Sequence, residues 1–314
     1  MINVRKAAVI GCGFVGASIA FSLMQRGLFS ELVLIDANRE KAEGEAMDLS
    51  HGLPYTASMR IYAGDYDDVA DCAMVIVTAG ANQKPGETRL DLIGKNVAIL
   101  KSIIPQLTSR KFNGVLMIVS NPVDVLTYAA WRLSGLPAHR VIGSGTVLDT
   151  ARLKYLLSQE LGVDSRNVHA AIIGEHGDSE LAVWSSANIS SVGLEEFCTL
   201  RGIQDQEALR DKIYHEVRDS AYGIIRRKGA TYYGVAMAVE RIVRAIVRDE
   251  HSVLPVSNLL QGQYGIDGLC MSIPAVVGRN GVEDTLEIPL SPAEREALRD
   301  SAATLRGVVD SLEL

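Results

Sequence analysis

The sequence has few cysteines, no long apolar run and no excess of positive charge. Its four cysteines are far apart and form no CxxC pair, so neither a zinc site nor a disulfide framework is indicated. No segment approaches the ~20 consecutive apolar residues of a transmembrane helix. Acidic residues outnumber basic ones by 38 to 31, and this balance argues against general binding to nucleic acids or anionic membranes.

The composition is instead that of an ordinary globular protein. Hydrophobic residues make up 47% of the 314 positions and charged residues 22%, which excludes disorder, collagen and coiled coil. This length allows two domains of the usual ~100–200 residues. The scattered thiols fit a reducing compartment, and no leader with a cleavage site is apparent before the first strand-like segment. We therefore expect a cytoplasmic location.

Short apolar runs alternate with helix-like stretches through the first half of the chain. Apolar runs without polar alternation are typical of strands buried on both faces, and their alternation with helices is typical of parallel βαβ units. The predicted strands are 6–10, 32–35, 59–62, 74–78, 115–119 and 140–142, and the predicted helices are 15–26, 39–49, 92–112 and 124–134. This pattern predicts an α/β fold that begins with a Rossmann-type doubly wound parallel sheet over residues 1–143.

The pattern changes after residue 143. It predicts helices over 148–161, 206–227 and 231–248, a strand over 168–173, and short strands and turns between 252 and 287. A final helix should begin after Ser291, because Ser291, Pro292 and Glu294 occupy the N-cap, N1 and N3 positions of a capping box. We expect residues 144–314 to form a mixed α+β catalytic domain.

A glycine-rich loop joins the first predicted strand to the first predicted helix. Gly11, Gly13 and Gly16 form a G-x-G-x-x-G motif, which lets the backbone approach a pyrophosphate at the helix N-terminus. Asp36 lies about 20 residues further on, where a carboxylate accepts hydrogen bonds from ribose hydroxyls and repels a 2′-phosphate. These residues predict an NAD site. The alternative is a simple glycine turn followed by an aspartate in an Asx-turn.

Four further segments carry polar residues suited to a reaction site: 79–89, 120–124, 149–152 and 174–178. Segment 79–89 follows a predicted strand, and loops beyond the carboxyl ends of such strands bind ligands in this architecture. Its glycine and proline content suits a lid that hinges.

Together with the glycine loop, these segments resemble the L-lactate/L-malate dehydrogenase family over the whole chain, and within it the bacterial members that act on lactate. The resemblance implies reversible hydride transfer between NADH and pyruvate, giving L-lactate and NAD⁺. It also implies a homotetramer, or a dimer of closely packed subunits. Two alternatives stay open: an enzyme for malate or another 2-hydroxy acid, and a non-catalytic NAD-sensing protein.

By this resemblance, His176 is the acid/base and Asp149 orients it. Arg152 binds the substrate carboxylate, and Arg89 on the lid polarises the carbonyl. Histidine suits proton transfer because its usual pKa of about 6.5 lets it donate or accept near neutrality. Each residue also has an ordinary alternative: His176 as a turn residue, the arginines as solvated charges, and Asp149 as part of a capping box with Thr146.

The resemblance implies further contacts. Substrate contacts are Gln83, Asn121, Asp124 and Thr231, and cofactor contacts are Val15, Lys41, Tyr66, Gly80, Ala81, Val119, Asn121 and Ser144. Gln83 is informative because malate dehydrogenases carry arginine at this position. A neutral glutamine favours pyruvate, since a dicarboxylate would bury an unpaired charge here.

The resemblance also suggests an effector site. Many bacterial members bind fructose 1,6-bisphosphate between subunits through an arginine and a histidine. The histidine matches His169, while Lys154 stands where the arginine is expected. Helix geometry turns Lys154 away from Arg152, toward a neighbouring subunit. The alternative is a solvated lysine and a packed strand histidine.

Overall fold

The computed structural model describes residues 3–81, 89–312 and 314. Its strands are β1 (Asn3–Ile10), β2 (Glu31–Ile35), β3 (Arg60–Ala63), β4 (Cys72–Val77), β5 (Val115–Ile118), β6 (Val141–Gly143), β7 (Val168–His169), β8 (Ile172–Ile173), β9 (Leu181–Ala182), β10 (Asn188–Ile189), β11 (Val192–Gly193), β12 (Ser252–Leu254), β13 (Ser257–Gln261), β14 (Asp267–Ser272), β15 (Ala275–Gly278) and β16 (Gly281–Thr285). Its α-helices are α1 (Phe14–Arg26), α2 (Arg39–His51), α3 (Arg89–Ser109), α4 (Val123–Ser134), α5 (Val147–Leu161), α6 (Leu194–Leu200), α7 (Gln206–Lys228), α8 (Tyr233–Val247) and α9 (Pro292–Val309).

The central sheet has the strand order β3-β2-β1-β4-β5-β6-β13-β14. Its first six strands are parallel, so the predicted doubly wound sheet is confirmed. Strand β13 then pairs antiparallel with β6, and β14 pairs antiparallel with β13. The sheet therefore continues into the second half of the chain.

The sheet is buried on both faces, which explains why its parallel strands show no polar alternation. In β1, Ala8 and Ile10 belong to one apolar cluster, together with residues of α3 and α4. Ala7 and Val9, on the opposite face, belong to a second cluster with residues of α1 and α8. Because both faces exclude water here, the four consecutive strand positions 7–10 are all apolar.

Two predicted elements differ from the structure. The strand expected over 168–173 is two short strands, β7 and β8, which pair with different partners, β10 and β9. A continuous apolar run does not reveal that its two ends join separate sheets. The helix expected over 92–112 spans Arg89–Ser109, and the chain leaves it through Lys111 at φ 58°.

The final helix begins as predicted. Ser291 Oγ accepts a hydrogen bond from the Glu294 amide, and the Glu294 carboxylate accepts one from the Ser291 amide. This reciprocal capping box satisfies two N–H groups that the helix itself cannot pair. Among the helices that the structure describes, none is both long and apolar enough to cross a membrane.

The topology brings the carboxyl ends of β1, β4 and β5 to one edge of the sheet. The strand order reverses between β1 and β4, and a crevice outside this reversal is where ligands bind in such sheets. On the second half of the chain, Gly174 pairs with Ser272 at the end of β14. The segment that follows Gly174 is thereby attached to the edge of the same sheet.

Candidate active site

The glycine loop after β1 is closely packed against the end of β4. Gly11 has φ +99°, and a Cβ there would lie 2.6 Å from the Ala79 nitrogen. A Cβ on Gly16 would lie 1.9 Å from the Gly11 carbonyl oxygen. Neither glycine tolerates a side chain, because backbone atoms occupy the space.

Gly13 is different, because the space beside it is open. A Cβ on Gly13 would meet no atom of the described residues within 4 Å. Gly13 is the N-cap of α1, and no acidic side chain lies in the first helical turn. The N–H groups of that turn lie at the positive end of the helix dipole, next to this open space. This arrangement fits a dinucleotide pyrophosphate.

Asp36 is tied to this loop. Its Oδ2 accepts a hydrogen bond from the Cys12 amide at 2.6 Å, and its Oδ1 accepts one from the Asn38 amide at 2.8 Å. The bond from the Asn38 amide forms the Asx-turn that the sequence offered as an alternative to a ribose site. The bond from the Cys12 amide places the carboxylate at the glycine loop. Ionised carboxylates have about four acceptor sites, so acceptor capacity remains for two ribose hydroxyls.

Three predicted cofactor contacts lie near this carboxylate or in the helix beside it. Val15 lies in the first turn of α1. The Lys41 charge lowers the pKa of the Cys12 thiol, although burial and Asp36 outweigh it and raise that pKa to about 12. Burial raises the pKa of Tyr66, and the charge of Asp36 adds to the effect. Lys41 is thus within electrostatic reach of Cys12 in the glycine loop, and Tyr66 is within reach of Asp36.

Asn96, a residue that sequence reasoning missed, joins two predicted segments. Its Oδ1 accepts a hydrogen bond from the Ala81 amide, and its Nδ2 donates one to the Asn121 carbonyl, both at 2.7 Å. Asn96 is only 3% exposed. It lies in the middle of α3 without a motif around it, so only the tertiary structure reveals its role.

The other predicted cofactor contacts line the ends of the strands. Gly80 follows β4, and a Cβ on it would lie 3.5 Å from the Ser120 side chain. Val119 follows β5, and its amide donates to the Val77 carbonyl at 2.9 Å. The Ser144 amide donates to the Ile118 carbonyl at 2.9 Å. The ends of β4, β5 and β6 therefore form one continuous wall.

Three predicted catalytic residues form a hydrogen-bonded group. His176 Nδ1 lies 2.6 Å from Asp149 Oδ2, and Arg152 Nη1 donates to Asp149 Oδ1 at 2.5 Å. Asp149 is 1% exposed and lies one turn before Arg152 on α5. With Nδ1 donating to the carboxylate, His176 presents Nε2 for proton transfer.

Asp149 is not part of a capping box. Thr146 makes no side-chain capping bond to the described part of α5; its Oγ1 donates instead to the Ile172 carbonyl at 2.6 Å. The alternative that Asp149 only caps its helix is therefore wrong. The Thr146 bond also links the start of α5 to β8, just before the segment that carries His176.

The backbone around His176 is held from two sides. Asp124, at the start of α4, accepts a hydrogen bond from the His176 amide at 2.7 Å. Ser301 of α9 accepts one from the Glu175 amide at 2.8 Å. Asp124, predicted as a substrate contact, therefore holds the backbone of His176.

The Asp149–His176 pair sets the protonation state of the site. Burial of His176 disfavours its charged form, but the Asp149 charge and hydrogen bond prevail and raise the pKa of His176 to about 9. Burial of Asp149 likewise opposes its charge, yet His176 and Arg152 hold the pKa of Asp149 below its usual range. At neutral pH the site therefore holds an imidazolium beside a carboxylate.

Two further acids adjoin this pair. Burial raises the pKa of Asp124 to about 6, although the hydrogen bond from the His176 amide and the charge of His176 oppose the shift. Burial and the Asp149 charge raise the pKa of Glu180 to about 8. Sequence reasoning missed Glu180, since a glutamate four residues after a histidine gives no signal of burial.

The remaining predicted substrate contacts are Gln83, Arg89 and Thr231. Gln83 and the side chain of Arg89 lie outside the described residues, although Arg89 begins α3. Thr231 lies shortly before α8 and is partly exposed. A Cβ on Gly234, in the first turn of α8, would lie 3.0 Å from the Leu148 side chain. Gly234, three residues after Thr231, is therefore close to the start of α5, the helix that carries Asp149.

Lys154 and His169 line one cavity of about 480 Å³. Arg241 lines it as well, and donates to Glu250 Oε2 at 2.8 Å and to Ser252 Oγ at 2.6 Å. Burial lowers the pKa of Lys154. The structure thus brings the two predicted effector residues to a common pocket, separate from the Arg152–Asp149 contact.

Comparison with known proteins agrees with this site. Residues 5–143 match the lactate/malate dehydrogenase NAD binding domain, and residues 146–313 match the lactate/malate dehydrogenase alpha/beta C-terminal domain. The chain is 52% identical over 311 residues to the L-lactate dehydrogenase of Acetivibrio thermocellus, covering 99% of this chain and 98% of that relative. It is 53% identical over 307 residues to L-lactate dehydrogenase 1 of Clostridium acetobutylicum, covering 98% of each.

Solved structures give the same result. A lactate dehydrogenase from a Medee basin deep-sea metagenome library superposes with a TM-score of 0.95 at 48% identity, over 99% of both chains. The minor L-lactate dehydrogenase of Enterococcus mundtii, in its ligands-bound form, superposes with a TM-score of 0.96 at 43% identity, also over 99% of both chains. The chain therefore belongs to the lactate/malate dehydrogenase family.

Proposed function

We propose that this chain is an NAD-dependent enzyme that reversibly reduces pyruvate to L-lactate. The observation that carries the proposal is the hydrogen-bonded Asp149–His176–Arg152 group beside a dinucleotide-binding crevice. Relatives about half identical over nearly the whole chain are L-lactate dehydrogenases, which supports the same reaction here.

The proposed roles follow from the chemistry of each side chain. NADH, when bound, supplies the hydride that reduces the ketone carbon. Arg152 has N–H groups beyond the one that Asp149 accepts, and these bind the substrate carboxylate. His176 Nε2 donates a proton to the oxygen as negative charge develops on it, and Asp149 stabilises the imidazolium beforehand. In lactate oxidation the neutral imidazole takes the same proton back.

Other residues complete the proposed site. Arg89, at the start of α3, polarises the carbonyl. The rest of the predicted lid, residues 82–88, lies outside the described residues. Asn121 orders the reacting oxygen and Thr231 lines the pocket. The glycine loop holds the pyrophosphate and Asp36 the adenosine ribose, and the remaining predicted contacts line the crevice: Val15, Lys41, Tyr66, Gly80, Ala81, Val119 and Ser144. Residues 1–143 then act as the NAD-binding domain and residues 144–314 as the catalytic domain.

Regulation and assembly are part of the proposal. Lys154 and His169 share a cavity of about 480 Å³ with Arg241, which suits the phosphate groups of fructose 1,6-bisphosphate. A homotetramer would double these charges across a two-fold axis. Exposed apolar side chains on α1 and α8, such as Phe21 and Met237, offer surface for such contacts. We propose that this assembly works in the cytoplasm.

The first prediction concerns cofactor choice. The wild-type enzyme should prefer NADH over NADPH by at least about 100-fold in kcat/KM, because Asp36 would face the 2′-phosphate and like-charge contacts cost several kcal/mol. Asp36→Ser should narrow that ratio by about tenfold or more. The exposed Asp48→Ser on α2 is the matched control. Equal kcat/KM for both cofactors in the wild type would remove Asp36 from this role.

The second prediction concerns proton transfer. The raised pKa of His176 means that the imidazolium is present below about pH 9 and is lost above it. Pyruvate reduction should therefore decline as the pH rises through about 9, while lactate oxidation gains on the alkaline side. His176→Asn should lower kcat in both directions by about 10²–10⁴-fold with NADH binding retained.

Fluorescence titration of NADH and steady-state rates check this second prediction. His139→Asn, a change at an exposed histidine, is the control and should behave as wild type. Near-normal turnover of the His176→Asn enzyme would exclude His176 as the acid/base.

The third prediction concerns substrate choice. The wild type should oxidise NADH with pyruvate much faster than with oxaloacetate. Gln83→Arg should raise kcat/KM for oxaloacetate and lower it for pyruvate, because the guanidinium pairs the second carboxylate. A wild-type preference for oxaloacetate would favour the malate alternative, and no activity with any 2-oxo acid would favour the NAD-sensing alternative. A Gln83→Arg enzyme with unchanged preference would show that Gln83 does not contact the substrate.

The fourth prediction concerns the effector. Fructose 1,6-bisphosphate should lower the apparent KM for pyruvate when it is titrated near pH 6 and near pH 8, because Lys154 and Arg241 in the cavity can bind its phosphate groups. Lys154→Ala should weaken the response, while the exposed Lys212→Ala on α7 should retain it. If millimolar effector changes KM at neither pH, the pocket is not an activator site.

A further inference from the structure

Glu180 is a buried acid that the proposed mechanism does not use. It is 4% exposed, and its Oε1 has no hydrogen-bond partner among the residues that the structure describes. One carboxylate oxygen of Glu180, one of Asp149 and a ring nitrogen of His176 all lie within 4.8 Å of one another. The acid is therefore close enough for its charge to act on the catalytic pair, and its own ionisation is costly in this setting.

Charged and titratable groups face Glu180 from three sides. Asp149 and Arg152 approach from α5, and Tyr214 and Arg218 approach from α7. His176 belongs to the same segment as Glu180.

The balance of these groups keeps Glu180 neutral near pH 7. Burial and the Asp149 charge raise the pKa of Glu180 to about 8, although His176, Arg152 and Arg218 oppose the shift. Glu180 thus ionises on the alkaline side, close to the pH at which His176 loses its proton.

The charges already present in the site determine how ionisation of Glu180 affects substrate binding. Between about pH 7 and pH 8 the positive charges of His176 and Arg152 are balanced by Asp149 and by Asp124, whose pKa is about 6. Ionised Glu180 adds one more negative charge beside Asp149, and the nearby charge of Arg218 does not outweigh burial and Asp149. In a site of low dielectric constant such a charge opposes the binding of an anionic substrate.

We propose that Glu180 is a positioning residue that couples binding of the 2-oxo monocarboxylate substrate to the uptake of a second proton. This inference rests on the proposed function. The first proton is the one that His176 must carry to bind the carbonyl, and the second neutralises Glu180. Substrate affinity then falls on the alkaline side more steeply than His176 alone would dictate.

Linkage gives the size of the effect. A ligand that requires one titrating group to be protonated loses about tenfold in affinity per pH unit above that group's pKa. A ligand that requires two such groups loses up to about 100-fold per pH unit. In Glu180→Gln, the loss of substrate affinity per pH unit at high pH should therefore fall from up to about 100-fold to about tenfold.

The experiment counts protons directly. Oxamate, a non-reducible isostere of pyruvate, is titrated into the enzyme–NADH complex at pH 9 by calorimetry, in buffers with different heats of ionisation. The wild type should take up more than one proton per site, and Glu180→Gln at most one. Asp178→Asn, the same acid-to-amide change at an exposed position of the same segment, should match the wild type.

The outcomes separate the two proposals. Two results would overturn the role of Glu180 and leave the proposed function unaffected. In the first, the wild type binds oxamate and takes up at most one proton. In the second, the wild type and Glu180→Gln bind oxamate with equal proton uptake. The number of protons that the wild type takes up tests the role of Glu180 even if the variant fails to fold. Absence of oxamate binding at pH 6 to 7 would contradict the proposed function and this inference with it.

Discussion

The buried contact between Asp149 and His176 is the interaction on which the site depends. Asp149 is almost fully excluded from water, and the charges of His176 and Arg152 stabilise its carboxylate. Removing one partner of a buried ion pair costs about 3–5 kcal/mol, because the other charge is left uncompensated. The same contact raises the pKa of His176 and aims its Nε2, so local stability and proton chemistry have one physical origin.

The two halves of the chain build this contact together. The central sheet runs on through β13 and β14, and Gly174 joins the edge of β14 immediately before His176. Asp124 reaches the same segment from α4, a helix of the parallel half. Because His176 is held by elements from both halves, its position relative to the dinucleotide crevice follows from the packing of both.

Three buried acids of the site show how environment decides protonation. Asp149 contacts two cations, which lower its pKa. For Asp124, the amide and the charge of His176 offset the effect of burial only in part, and the pKa is about 6. Glu180 lies beside another carboxylate, one of its oxygens has no hydrogen-bond partner among the described residues, and its pKa is about 8. Residues of nearly the same chemistry therefore titrate over different pH ranges, as desolvation and neighbouring charge dictate.

Local sequence determined the parts of this protein that depend on neighbours along the chain. The apolar runs predicted the parallel strands, the glycine motif with Asp36 predicted the dinucleotide loop, and Ser291 predicted the last helix, because strand burial, tight turns and helix capping are short-range effects. Motif order and resemblance indicated His176 and its partners. Tertiary structure alone decided the division of 168–173 between two sheets, the link that Asn96 makes, and the burial of Glu180, since each depends on residues distant in sequence.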